Sequence, residues 1–265
     1  MIGGDVDPAL LETASRAADA ARAAILRHFR SADLAAENKD GGGGYDPVTA
    51  ADKEAEAAIR AVLARERPED GVFGEEEGVQ AGSSGLTWVV DPIDGTRAFV
   101  IGAPTWGVLI ALNDGTRPAL GLMDQPWTRE RFWGDGTRAW LERDGARTPL
   151  RTRRGAALAE ARLCTTFPEV GSEADRLAFE RVRDRVRLTR YGLDCTGYAL
   201  LAAGGVDLVI EAGLAPYDIQ ALIPLVEGAG GVVTTWEGGD AQQGGRILAA
   251  ASETLHAQAL ALLAG

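Results

Sequence analysis

The segment Asp91-Pro-Ile-Asp94-Gly-Thr96 combines two carboxylates with a glycine and a hydroxyl side chain. Asp91 follows the apolar run 87–90, which predicts a buried strand ending at a proline turn where both carboxylates can face one side. Hard divalent cations prefer oxygen ligands, so Asp91 and Asp94 predict a Mg²⁺ site. Gly95 and Thr96 open a predicted short helix, whose free N–H groups would bind phosphate. A surface turn with two solvated aspartates is the alternative.

Three further acidic segments could complete this site: Asp46-Pro-Val-Thr-Ala-Ala-Asp52, Gly74-Glu75-Glu76-Glu77 and Pro216-Tyr-Asp218. Each has a purely structural interpretation when taken alone. Thr49 and Asp52 are spaced like a capping box, the glutamates could be a solvated charge run, and Asp218 could cap a helix. Their occurrence together with Asp91 and Asp94 favours one shared metal centre.

Composition limits the classes of partner and chemistry. Lys and Arg number 27 against 39 Asp and Glu, a formal net charge of −12, which argues against nucleic-acid and anionic-membrane partners. Bound divalent cations would let such an acidic protein handle phosphate. Two histidines and two unclustered cysteines argue against serine–histidine hydrolases and structural zinc. No signal peptide or apolar run of about 20 residues is present, so a cytoplasmic location is expected.

The spacing of the aspartates also favours one mechanism. Phosphatases of the haloacid-dehalogenase type carry a nucleophile in an Asp-x-Asp motif near the N-terminus. Here the spacing is Asp-x-x-Asp and the motif begins at Asp91. Direct attack by a metal-activated water is therefore favoured over an aspartyl-phosphate intermediate.

Apolar periodicity predicts the elements that must position these residues. Helices are predicted at 8–30, 50–65, 173–182, 195–203, 218–228 and 253–263, and strands at 87–90, 106–112, 120–124, 131–133, 161–165, 206–211, 231–235 and 246–250. Alternation of strands and helices after residue 160 predicts helices packed on sheets. The glycine-rich segment 40–47 could be a linker or a lid.

In this order the four acidic segments, followed by Glu227-Gly-Ala-Gly-Gly231, resemble the inositol monophosphatase family of Mg²⁺-dependent phosphatases over nearly the whole chain. Asp124-Gln-Pro126 and Tyr217-Asp-Ile-Gln-Ala-Leu-Ile-Pro224 resemble its histidinol-phosphatase branch. The common inositol-phosphatase pattern has Thr-Asn-Phe and Trp where this chain has Arg97-Ala-Phe99 and Tyr217. The resemblance implies hydrolysis of histidinol phosphate to histidinol and phosphate, a step of histidine biosynthesis. Inositol-1-phosphate, or another sugar or nucleotide phosphate, is the alternative, and a non-catalytic metal-binding scaffold is a further one.

The implied fold is a layered αβαβα sandwich, an α/β arrangement of two stacked sheets in one domain over 1–265. The larger, antiparallel sheet would lie in about 1–150 and the smaller, mixed sheet in about 151–265, with the site between them. The resemblance also implies a small phosphate monoester as substrate and a homodimer.

The resemblance also implies a role for each site residue. The ligands of two or three Mg²⁺ ions, or of Mn²⁺, would be Glu75, Asp91, the Ile93 carbonyl, Asp94 and Asp218. Asp52, Thr96 and Glu76 would be catalytic and would orient or deprotonate water, and the N–H groups of Gly95 and Thr96 would bind phosphate. Lys39 would belong to a mobile loop over the metals. Asp194 and Glu211 would bind the ammonium group of histidinol, although Asp194 could instead cap a helix.

Overall fold

A computed structural model describes residues 7–32, 34–38 and 47–265. The helices are α1 Pro8–Ile25, α2 Ala50–Glu66, α3 Thr96–Val100, α4 Glu173–Arg183, α5 Cys195–Ala202, α6 Pro216–Ile219, α7 Leu222–Gly228 and α8 Glu253–Ala264, with a 3₁₀ turn at Leu158–Glu160. The strands are β1 Ala36–Asn38, β2 Pro47–Thr49, β3 Gly71–Gly74, β4 Gly78–Gln80, β5 Thr87–Asp94, β6 Gly107–Asn113, β7 Pro118–Gln125, β8 Glu130–Gly134, β9 Ala139–Arg143, β10 Ala146–Pro149, β11 Arg162–Thr165, β12 Leu188–Tyr191, β13 Leu208–Leu214, β14 Val232–Thr235 and β15 Gly245–Ala250. None of these helices is both long enough and apolar enough to cross a membrane.

Two large sheets organise the described chain, and β1 pairs separately with β2. The larger sheet has the order β10-β9-β8-β7-β6-β5-β3-β4, and its pairs are antiparallel apart from the parallel pair β3–β5. The smaller sheet has the order β12-β11-β13-β15-β14, with parallel pairs around β11 and antiparallel pairs around β15. The larger sheet is therefore antiparallel apart from one pair, and the smaller sheet is mixed.

The layers follow from strands that are buried on both faces. Trp88 and Val90 pack with the apolar faces of α1 and α2, whereas Val89 points to the opposite core with α5 and α7. That second core also contains Val209 of the smaller sheet, whose outer face packs against α4 and α8 through residues such as Leu208. The order of layers is therefore α1 and α2, the larger sheet, α5 to α7, the smaller sheet, and α4 with α8. The predicted αβαβα sandwich is confirmed.

Two glycines allow the central helix to approach the larger sheet. A Cβ atom on Gly121 would lie 1.9 Å from the carbonyl oxygen of Ala221, and one on Gly134 would lie 2.4 Å from that of Pro224. Such distances are far inside van der Waals contact, so any larger residue would push α7 away from β7 and β8. The two halves of the chain are thus packed closely through this helix.

Three predicted elements differ from the structure, and two of them lie near the site. The strand predicted to stop at residue 90 continues to Asp94, and its pairing with β6 becomes irregular between Asp91 and Asp94. Pro92 lacks an N–H group and cannot continue a regular ladder. The helix predicted over 218–228 is divided into α6 and α7. The helix predicted over 8–30 ends at Ile25 and continues as turns.

Candidate active site

The irregular end of β5 carries the first two carboxylates. Asp91 is 2% exposed, and its Oδ1 accepts a hydrogen bond of 2.9 Å from the Ile93 N–H. Asp94 Oδ2 accepts one of 2.7 Å from the backbone N–H of Cys195, at the first residue of α5. The second bond joins the two halves of the molecule directly at the site.

The third carboxylate comes from the C-terminal half. Asp218 lies in the short helix α6, where its Oδ2 accepts a hydrogen bond of 2.7 Å from the Ala215 N–H. One carboxylate oxygen from each of Asp91, Asp94 and Asp218 lies within 4.8 Å of the other two. Residues separated by more than a hundred positions are thus brought into one cluster, and their oxygen donors suit a hard divalent cation.

A buried glutamate on α2 fixes the turn that carries Glu75. Glu56 is fully buried and accepts backbone hydrogen bonds from Glu76 (2.8 Å) and Glu77 (3.1 Å), while Arg60 pairs with it at 2.8 Å. A Cβ atom on Gly74 would lie 2.0 Å from the Glu56 carboxylate, so glycine is required there. Sequence reasoning missed Glu56, although its position four residues after Asp52 on one helix face was an available signal.

In the absence of bound cations, the ionised form of these carboxylates is strongly disfavoured. Burial, followed by the charges of Glu75, Asp94 and Asp218, raises the pKa of Asp91 well above its usual range. Burial, followed by the charges of Asp194 and Asp218, likewise raises the pKa of Asp94. Carboxylates that repel one another in a buried site are stabilised in their ionised form by a bound cation. The donor chemistry and the electrostatics therefore both fit a metal centre.

A cavity of about 310 Å³ opens over this cluster. Its walls bring together most of the sequence-predicted site residues with several others: Glu75, Asp91, Ile93, Asp94, Gly95, Thr96, Arg97, Phe167, Asp194, Gly213, Ala215, Tyr217 and Asp218. Sequence reasoning assigned no role to Arg97, although it directly follows the Gly-Thr pair. It also missed Phe167, which lies in a loop and carries no motif.

Asp52 does not itself line this cavity, but it lies next to Thr96, which does. Asp52 is buried, and its Oδ2 accepts hydrogen bonds from the Thr49 N–H (2.8 Å) and the Thr49 hydroxyl (2.6 Å). The Thr96 hydroxyl lies 3.4 Å from Asp52 Oδ1 and 3.0 Å from the Ile93 carbonyl oxygen. Asp52 therefore caps α2 with one oxygen and faces the cavity wall with the other.

Asp194 lines the cavity from the C-terminal half. It adopts a positive φ of 46° at the start of α5, a conformation that is strained for a non-glycine residue, and its side chain makes no capping hydrogen bond. Burial raises the pKa of Asp194 to about 6, and the charge of Arg97 opposes that rise. The alternative prediction, a helix-capping side chain, is wrong.

Other predicted residues lie away from the cavity wall. Glu211 is 6% exposed, and its carboxylate accepts hydrogen bonds from Thr165 and from the N–H and hydroxyl of Thr166. Burial raises the pKa of Glu211 to about 7, against these hydrogen bonds. Neither Glu211 nor Glu76 is among the described residues that line the cavity. Lys39 and Asp46 lie outside the described residues.

Comparison with known proteins agrees with this geometry. Bifunctional phosphatase IMPL2 of Arabidopsis thaliana is 43% identical over 83% of this chain, which spans 62% of that relative's length. The histidinol-phosphatase of Streptomyces coelicolor is 36% identical over 93% of both chains. A solved structure of an inositol monophosphatase from Zymomonas mobilis is 38% identical, covers 99% of this chain and 100% of its own, and superposes with a TM-score of 0.86.

The fold and the site define the class of this protein: it is a phosphoric monoester hydrolase. The model of the inositol monophosphatase family matches residues 8–264. The chain belongs to that family, whose enzymes are generally metal-dependent phosphatases of small monoesters.

Proposed function

We propose that this enzyme hydrolyses histidinol phosphate to histidinol and inorganic phosphate in a Mg²⁺-dependent reaction. The observation that carries the proposal is the cavity wall, where the described residues include five carboxylates and one guanidinium, that of Arg97. This charge suits metal ions together with a cationic alcohol, which histidinol is at neutral pH and inositol is not. Similarity to the histidinol-phosphatase of Streptomyces coelicolor supports the same substrate.

The metal site would be built from oxygen donors of both halves. Asp91, Asp94 and Asp218, whose oxygens lie within 4.8 Å of one another, would hold two or three Mg²⁺ ions with Glu75 and the Ile93 carbonyl; Mn²⁺ could replace Mg²⁺. Bound ions would supply charge neutralisation for the phosphate and a lowered pKa for water. The division of ligands between the two halves would make the centre sensitive to how the halves are packed.

The phosphate group would be bound by the backbone at the start of α3. Gly95 has a φ of 87°, and the Gly95 and Thr96 N–H groups stand at a helix start, where N–H groups have no intrahelical partner. Binding there would hold the phosphorus atom beside the carboxylate cluster.

Asp52 and Thr96 would handle the proton of the attacking water. Thr49 donates two hydrogen bonds to Oδ2 of Asp52, and the Thr96 hydroxyl lies 3.4 Å from Oδ1. The Thr96 oxygen can then accept a hydrogen bond from water and pass its own proton to Asp52, which acts as a general base. Glu76 is proposed to support a second water.

Asp194 would bind the ammonium group of histidinol directly. Glu211, which does not line the cavity, would attract the same group through its charge. Asp194 lines the cavity, and the carboxylate of Glu211 is fixed by Thr165 and Thr166. An ammonium group would favour the ionised form of Asp194 and form a charge-assisted hydrogen bond with it.

Inositol-1-phosphate is the second candidate substrate. It is supported by the similarity to the inositol monophosphatase of Zymomonas mobilis, which covers nearly the whole chain.

Phosphate release from histidinol phosphate and inositol-1-phosphate, measured side by side with Mg²⁺ and with EDTA, tests the proposal. We expect Mg²⁺-dependent release with a higher kcat/KM for histidinol phosphate. Asp194→Asn should reduce kcat/KM for histidinol phosphate by about 10-fold or more and affect the uncharged inositol ester less. A wild-type preference for inositol-1-phosphate would contradict the substrate assignment. An unchanged kcat/KM of Asp194→Asn for histidinol phosphate would contradict the role of Asp194.

A further inference from the structure

Two aromatic residues, Phe167 and Tyr217, line the carboxylate-rich cavity, and Phe167 carries no polar group. Phe167 lines the cavity and is 43% exposed. It lies two residues beyond the end of β11, in a segment without regular secondary structure. Neither metal binding nor phosphate binding uses an apolar ring. An exposed aromatic side chain inside a polar binding cavity is instead typical of a contact with a ligand's apolar part.

A guanidinium from the other half of the molecule holds this ring. The Cζ atom of Arg97 lies 4.8 Å from the centroid of the Phe167 ring, a cation–π contact. Arg97 belongs to α3, directly after the proposed phosphate-binding residues Gly95 and Thr96. The contact therefore joins the two halves at the cavity wall and holds the ring beside the residues at which the phosphate would be bound.

We propose that Phe167, held by Arg97, forms a platform that selects phosphate monoesters whose alcohol carries a planar ring. The proposal rests on the proposed function, because it concerns the alcohol part of the substrate at the same site. It adds a basis for selection that is independent of charge. Asp194 would bind a cationic group, whereas Phe167 would stack against a planar ring. The imidazole ring of histidinol phosphate is planar, and the ring of inositol is puckered. Arg97 is a positioning residue in this account.

The simpler interpretation is that Arg97 and Phe167 only join the two halves. Under it, replacing Phe167 would change stability but would affect planar and puckered substrates equally. Substrate discrimination therefore separates the two interpretations, whereas stability does not.

The probes are 2-phenylethyl phosphate and 2-cyclohexylethyl phosphate, with the Mg²⁺-loaded enzyme. They share the two-carbon linker and closely similar leaving groups and differ in the flatness of the ring. The cyclohexyl ring is at least as apolar, so burial of apolar surface alone would not favour the phenyl ester. We expect wild-type enzyme to prefer the phenyl ester by about 2- to 10-fold in kcat/KM, chiefly through KM.

Variants of the platform should change this ratio in a defined order. Phe167→Leu should bring it to about one, and Phe167→Tyr, which keeps the ring, should retain it. Arg97→Met should reduce the ratio because the ring is no longer held, and Arg97→Lys should restore part of it. The matched control is Tyr191→Leu, an exposed aromatic of the same half that does not line the cavity; it should keep the wild-type ratio.

Equal use of the two esters by wild-type enzyme, or a phenyl preference that survives in Phe167→Leu, would overturn the platform. The substrate assignment fails separately. If wild type prefers the phenyl ester but does not hydrolyse histidinol phosphate, the platform stands and the assignment of histidinol phosphate is wrong. If histidinol phosphate is hydrolysed with the same kcat/KM by wild type and Phe167→Leu, the platform is wrong and the assignment stands.

Discussion

At the scale of single residues, the site is defined by buried carboxylates whose charges repel one another. The pKa of Asp91 is raised by burial and then by the charges of Glu75, Asp94 and Asp218. Asp124, also fully buried, is instead bonded by the guanidinium groups of two arginines. An aspartate therefore has opposite effects at these two positions. Asp91 contributes repulsion in the metal-free protein, and Asp124 contributes attraction to its two arginines.

Asp91→Asn should abolish activity and stabilise the metal-free protein. The amide keeps an oxygen for the Ile93 N–H but removes the repulsion, so Tm in EDTA should rise, by about 2–4 °C for each kcal/mol regained. Mg²⁺-dependent phosphate release should fall by about 100-fold or more, because a ligand is lost. Asp124→Asn is the control and should lower Tm, since it leaves Arg22 and Arg131 without their buried partner. A lower Tm for Asp91→Asn in EDTA would contradict this electrostatic account.

Glu211 should make stability fall as pH rises. Its carboxyl group titrates near pH 7 in the folded protein, against an ordinary value of 4.5. The unfolded chain therefore loses this proton first, and the stabilisation present below pH 4.5 is lost as pH rises through 7. Relative to Glu211→Gln, wild type should lose about 3 kcal/mol of unfolding free energy between pH 4.5 and pH 8.

Urea unfolding of both proteins in EDTA at the two pH values measures this difference. Glu169→Gln, at an exposed loop position, serves as the control and should show the same pH dependence as wild type. Parallel pH dependence of wild type and Glu211→Gln would show that the buried carboxyl group does not titrate in this range.

At the scale of elements, the turn between β5 and α3 brings the N–H groups that we propose to bind phosphate close to Asp194. Gly95 has a φ of 87°, and a Cβ atom there would lie 3.1 Å from the Asp194 side chain and 3.1 Å from the Thr105 carbonyl oxygen. Glycine is needed both for the backbone conformation and for this close approach.

Gly95→Ala and Gly85→Ala separate these two requirements. Gly85 has a φ of 84°, but nothing lies within 4 Å of the position of its Cβ atom. Both substitutions should cost about 1–2 kcal/mol of backbone strain. Gly95→Ala should lower the free energy of unfolding by more than Gly85→Ala does, because its methyl group also displaces the turn. For the same reason, only Gly95→Ala should reduce kcat/KM, by about 10-fold or more. Urea unfolding and phosphate release measure the two effects; equal kcat/KM for both variants would contradict the requirement for close approach.

Local sequence patterns predicted the elements that carry strong periodicity and missed those that depend on neighbours. The helix α8 is close to its predicted range, because its apolar spacing is regular. The strand β12 was missed because its residues are mostly half-buried or exposed, so they carry little apolar signal. The break between α6 and α7 was missed although Pro224 signals it, because proline is tolerated in the first turn of a helix and not in its interior. Among the site residues, Asp91 and Asp218 were predicted because they belong to sequence motifs. Phe167 belongs to no motif and reaches the cavity only through packing of the two halves.

At the scale of the whole molecule, the carboxylate cluster is built from residues of both halves. Asp94 belongs to the larger sheet, and Asp218 lies in α6, between β13 and β14 of the smaller sheet. The order of layers could not be obtained from periodicity. Resemblance to a known family supplied it. The central helix α7 joins the sheets where Gly121 and Gly134 admit it. We therefore predict that residues 1–265 unfold as one unit.

Gly121→Ala tests this unity. The added methyl group would overlap the Ala221 carbonyl and should destabilise both halves together by about 2 kcal/mol or more. Far-ultraviolet circular dichroism and tryptophan fluorescence should give one coincident urea transition at a lower midpoint. Gly197→Ala is the control, because its Cβ atom would make only an ordinary contact at 3.6 Å. Separate transitions for the two probes would indicate two independent units.

The central claim is that the carboxylates of both halves hold the metal ions on which hydrolysis depends. The most direct measurement is a crystal structure of the enzyme with Mn²⁺, examined for anomalous scattering, with Mn²⁺-dependent activity verified for the same preparation. We predict an anomalous peak bounded by Asp91, Asp94 and Asp218. An active Mn²⁺-loaded enzyme whose anomalous peaks all lie elsewhere would contradict the account.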